Sequence, residues 1–73
     1  MNVQTIRKRL SKEGPLVVRT SDGEKYLVPH PEFVWVGRFN LVIEDEQGGI
    51  DVIDPLHVVA IHRARTAKNK NGK

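Results

Sequence analysis

His30, His57 and His62 are the side chains with the most usable chemistry, as metal ligands or as proton carriers near neutral pH. His57 and His62 lie five apart, an offset that puts them on opposite faces if both sit in one strand. His30 stands apart, between two prolines in VPHPEFVW (28–35). No histidine has a close second ligand of the HExxH kind. With no cysteine in the chain, a zinc site would need histidines and carboxylates to converge from far apart. The spacing calls for no metal and no cofactor. It places His30 in a proline-stiffened corner and the other two at strand ends. Glu44-Asp45-Glu46 could supply carboxylates, but acid–base catalysis needs paired groups in environments that separate their pKa values. A run of acids at a hairpin tip reads as a solvated turn. No Ser/His/Asp arrangement and no glycine-rich phosphate loop stands out, so an enzyme is not expected.

Charge is the stronger signal. The net charge is +3, unevenly spread over the 73 residues. Residues 1–13 carry +3, residues 14–62 carry −5 and residues 63–73 carry +5. An acidic body between two basic ends suits a polyanion partner, or self-association through opposite patches. A single domain this small has a marginal core and usually needs a disulfide, a metal or oligomerisation. Without cysteine, oligomerisation is the expected support, and the composition fits a reducing cytoplasm. The longest apolar run is four residues, so neither a signal peptide nor a membrane span is expected.

The elements that must carry these residues follow from local pattern. Val3, Ile6 and Leu10 recur at helical spacing, with Asn2 as N-cap and Gly14-Pro15 as stop, predicting a helix over about 2–12. Such a helix is marginal alone and must dock its apolar face on the body. Five short strands are predicted across about 16–62. LVVRTS (16–21) and 24–28 are joined by an Asp22-Gly23 hairpin. FNLVIE (39–44) is followed by the DEQGG loop and the strand 50–54, and VVAIH (58–62) follows a tight turn at Asp54-Pro55. Phe33 and Trp35 are expected to cover the open end of the core, and the core to claim most aromatics. Residues 1–62 read as one domain and 63–73 as a basic disordered tail. The fold class is mainly β: a small five-stranded antiparallel barrel with an N-terminal α-helix.

This order resembles the Sm/LSm (SH3-like) barrel, including bacterial Hfq. Trp35-Val36-Gly37-Arg38-Phe39-Asn40-Leu41-Val42-Ile43 is similar to the Sm run aromatic-Asp-x-aromatic-Met-Asn-Leu-Val-Leu at Trp35, Asn40, Leu41, Val42 and Ile43. It departs from it at Val36, Arg38 and Phe39. The second Sm motif, Ile-Arg-Gly, meets Ile53-Asp54-Pro55, and His57 lies one place off the Lys-His pair of Hfq. The chain also resembles small uncharacterised bacterial proteins. They share its Ser21-Asp22-Gly23 hairpin, its His30-Pro31-Glu32-Phe33 segment and a Val52-Ile53-Asp54-Pro55-Leu56-like final hairpin. That likeness implies a shared fold and brings no activity with it.

The resemblance implies a homo-oligomeric ring that binds RNA or DNA, with Asn40 reading a base edge. In such a ring Asp54 would repeat near the pore and repel phosphate there. The expected nucleic-acid path therefore uses Arg7, Lys8 and Lys12 on the helix and Arg63, Arg65, Lys68 and Lys70 on the tail. The alternative is a structural or protein-interaction module with no nucleic-acid role.

Overall fold

The computed structural model describes residues 1–12 and 14–64, so the tail residues Arg65, Lys68 and Lys70 lie outside the described residues. The chain forms one helix and six strands: α1 (Val3–Leu10), β1 (Leu16–Thr20), β2 (Lys25–Val28), β3 (Val34–Val36), β4 (Leu41–Glu44), β5 (Ile50–Ile53) and β6 (Val58–Arg63). Short 3-10 turns at Pro31–Phe33 and Pro55–His57 precede β3 and β6. The strands make two antiparallel sheets, in the orders β2-β1-β6 and β3-β4-β5.

Two expectations are corrected here. There are six strands rather than five, and the sheets are not closed into a barrel. One cause serves both. Pro29 and Pro31 cannot donate to a ladder, so the chain leaves β2, makes a 3-10 turn and restarts as β3 in the other sheet. Between β2 and the β4–β5 hairpin this leaves a cleft of about 250 Å³, lined by Tyr26, Pro29, Ile43 and Asp51 among others.

Helix α1 starts where the sequence places its cap. The Asn2 side chain accepts from the Thr5 N–H at 2.8 Å, satisfying one of the helix's unpaired first-turn donors. Ile6 and Leu10 are buried and join the core. The Met1 ammonium donates to the Pro55 and Val58 carbonyls at 3.0 and 2.9 Å, pinning the helix start to the start of β6. Strand β1 alternates as its residues require. Leu16, Val18 and Thr20 point inward, and Arg19 points out.

The β1–β2 and β4–β5 hairpins use one device. Gly23 N–H donates to Thr20 O and Gly48 N–H to Asp45 O, with φ of 89° and 88° at the two glycines. This is a tight turn ended by a left-handed glycine, a conformation that is cheap only without a Cβ. Asp45 Oδ1 adds bonds from the Gln47 and Gly49 N–H groups, both at 2.8 Å. The acidic tip is thereby a built turn.

The core consists of Ile6, Leu10, Leu16, Val18, Val28, Leu41, Ile43, Ile53, Val58 and Ile61. None is aromatic, which overturns the expectation that the core claims most aromatics. Trp35 is 62% and Phe39 73% exposed, and Phe33 is half-buried. Phe39 lies in the β3–β4 turn instead of beginning a strand, because the Gly37 N–H bonds the Asn40 carbonyl at 2.7 Å and closes the chain there. Trp35 is on the outer side of β3, with Val34 and Val36 directed to the core.

Candidate nucleic-acid interface

Helix α1 runs alongside β6, from the Met1 contacts at Val58 to its C-terminal end near Arg63. At that end Arg9, Lys12, Leu16, Ile61, His62 and Arg63 line one cleft of about 210 Å³. The helix, its exit and strands β1 and β6 build it. The last turn of α1 supplies Arg9, its exit supplies Lys12, and the end of β6 supplies His62 and Arg63. Leu16 and Ile61 form the apolar floor. The Arg63 guanidinium lies against Gly14, where an added Cβ would sit 3.2 Å from Nη1. Here three fixed cations converge, next to the point where the basic residues 65–73 leave the described chain.

The sequence-derived residues are thus partly gathered and partly scattered. Lys12 and Arg63 share the cleft. Arg7 does not line it, because its Nη2 donates to the Val36 carbonyl at 3.2 Å and ties α1 to β3. Lys8 is exposed on the helix. Asn40 is exposed in the β3–β4 turn, on the other sheet, where its carbonyl closes the loop. Arg9 and His62 were not among the expected residues. The signal for Arg9 was its place in the basic run Arg7-Lys8-Arg9 at the end of the predicted helix.

The histidines divide as their elements do. His30 is exposed at the corner, its ring 6.0 Å from that of Phe33. His62 Nδ1 lies 3.2 Å from its neighbour's carbonyl, Arg63 O. His57 Nδ1 is 3.3 Å from Ser21 Oγ, and the Ser21 N–H donates to His57 O at 2.8 Å. A serine, a histidine and an aspartate, Asp22, are therefore neighbours, which the sequence had not indicated. Their roles do not form a relay. One Asp22 oxygen accepts from the Thr20 hydroxyl and the Glu24 N–H. The Asp22 carboxyl titrates below its ordinary value, first through the Thr20 hydroxyl, then the Glu24 N–H, with a small part from His57. No bond to Asp22 orients the imidazole, and nucleophile activation needs that third group. Tyr26 is shifted upward, mainly by burial and then by the charges of Asp22, Asp51 and Glu24. Among the described residues no group of three or more His, Asp or Glu side chains is placed to hold a metal ion. Nor is any helix there long and apolar enough to cross a membrane.

What the fold and this cleft define is a small mainly β domain that presents a cationic groove at one end. No family model, curated protein or solved structure matches the chain.

Proposed function

We propose that the protein is a small Sm-like nucleic-acid-binding module, holding the phosphate backbone of RNA or single-stranded DNA along the cleft of Arg9, Lys12, His62 and Arg63. The observation that carries this reading is the convergence of those side chains over an apolar floor. Cations gathered in one groove focus potential more than the same charges dispersed. Arg65, Lys68 and Lys70 follow Arg63 closely in the sequence and add positive charge that such a ligand can use. Recognition of this kind is weak in sequence preference, because backbone contacts carry no base information. Two features support the Sm-like part: β1 is flanked by β2 and β6, and a tight turn leads into the last strand. The free edges of β5 and β6 offer the strand pairing on which a ring depends. Arg7 and Asn40, at the β3–β4 end, are outside the phosphate path in this reading.

Fluorescence anisotropy of labelled oligonucleotides tests it. Arg9→Ala/Lys12→Ala/Arg63→Ala should lose at least tenfold in affinity. Arg19→Ala/Lys25→Ala, which removes two exposed cations from the β1–β2 pair, should bind as wild type. Equal losses in the two variants would mean that overall charge acts and that the cleft is no site.

A further inference from the structure

The outer face of the β3-β4-β5 sheet is apolar where a solvated face should be polar. Trp35, Val42 and Val52 stand in one row across the three strands. Two residues further along the same face, Ile50 pairs with Glu44. Trp35, Ile50 and Val52 are 62, 63 and 61% exposed. Phe33, Trp35, Val42 and Ile50 line a shallow groove there, rimmed by Glu32 and Glu44. The face is also electrically polar along its strands. One end carries Glu32 and Glu44, which rim the groove. The opposite end carries Arg38, in the β3–β4 turn, and Arg7, whose guanidinium bonds Val36 O. Asp54 lies at that end too, in one cleft with Arg38, Met1 and Asn2, its carboxylate turned to the Leu56 N–H at 2.9 Å.

We propose that a second copy of this chain packs face to face on the β3-β4-β5 sheet, burying Trp35, Val42, Ile50 and Val52 of both copies about a two-fold axis that runs across the strands. That axis reverses the strand direction between copies. It lays the acidic end of each over the Arg38 end of the other, whereas an axis along the strands would stack Glu44 on Glu44. Sheets packed with strands nearly aligned interdigitate such side chains. Three side chains on each copy are more than three-fifths exposed, which suits a weak interface at the small end of the size range. Nucleic acid does not suit this face, because the carboxylates of Glu32 and Glu44 rim it and no cation lines the groove. Among the described residues the core holds ten buried apolar side chains and seven large ones stay exposed, Trp35, Ile50 and Val52 of them on this face. Association on this face supplies the burial that one copy lacks.

Sedimentation velocity from about 10 μM to about 1 mM protein, read beside Trp35 emission, tests this. Trp35 is the sole tryptophan, so a blue shift reports this face. Wild type should associate as its concentration rises, with the emission moving to the blue over the same range. Val52→Lys, on an edge strand and already exposed, should keep its fold by circular dichroism and bind itself at least tenfold more weakly. Arg38→Glu and Glu44→Arg should each weaken the dimer, and Arg38→Glu/Glu44→Arg should restore it. A wild type that stays monomeric throughout overturns the proposal. So does a Val52→Lys dimer as strong as wild type, which would point to edge pairing, or a double swap that fails to restore. A blue shift that appears only on adding an oligonucleotide or a peptide of residues 63–73 would assign the face to that occupant instead.

Discussion

Replacing Ile6 by alanine should unfold most of the molecule. Ile6 is fully buried and, with Leu10, carries α1 into the core. The change removes three carbons, worth ~0.8 kcal/mol each in transfer free energy, or ~2.4 kcal/mol together. The cavity left behind adds to this, giving a loss of about 3–4 kcal/mol. A single core in a domain of this size supplies only about 3–5 kcal/mol in total. At eight residues α1 is too short to persist alone, so its helicity should vanish together with the core. Far-ultraviolet circular dichroism during thermal unfolding is the assay. Ile6→Val, at about 1 kcal/mol, is the graded companion and should lower Tm by roughly 4–8 °C. If Ile6→Ala kept its helical signal and lowered Tm by less than about 4 °C, α1 would not be part of the core.

Gly37→Ala should redden and broaden Trp35 emission, because the new Cβ would lie 2.6 Å from Trp35 Cη2 and the exposed ring must swing away. Gly48→Ala meets no neighbouring atom, so its cost is backbone strain alone, about 1–2 kcal/mol for φ near 88°, measurable by urea unfolding. The depressed Asp22 pKa contributes stability that is complete above the ordinary carboxylate value and is lost as pH falls through the lower folded value. Wild type should therefore exceed Asp22→Asn in Tm at neutral pH, and the two should converge in acid, below the ordinary carboxylate range. A constant gap across pH would contradict the assigned cause of the shift.

How much of this was legible in the sequence depends on whether local or tertiary forces decide each residue. Val3, Ile6, Leu10 and the Asn2 cap are local signals, and α1 follows them. Both hairpin glycines were also visible, since only a glycine is cheap at their φ values. Strand β3 was hidden. Val34-Trp35-Val36 is apolar at every position, so periodicity alone could not say which side faces the core. Its partner β4 decides that: the register pairs Val36 with Leu41 and Trp35 with Val42. Phe39 was misplaced for a similar reason. Alternation with Leu41 and Ile43 suggested a strand, but the Gly37–Asn40 bond ends the ladder first. The candidate cleft was half legible. Lys12 and Arg63 carried charge in the sequence, but their meeting with Arg9 depends on α1 lying along β6, a tertiary fact. The neighbouring Ser21 and His57, 36 residues apart, left no sequence trace at all.

The central claim is that phosphate sits in the cleft of Arg9, Lys12 and Arg63, and the salt dependence of binding tests it most directly. For a single strand, each phosphate contact contributes a slope of about −0.7 in log K against log salt. Removing the three cations should flatten the slope by about 2 relative to wild type, beside the loss in affinity. A slope unchanged in the triple variant, or wild-type binding that ignores salt, would contradict it.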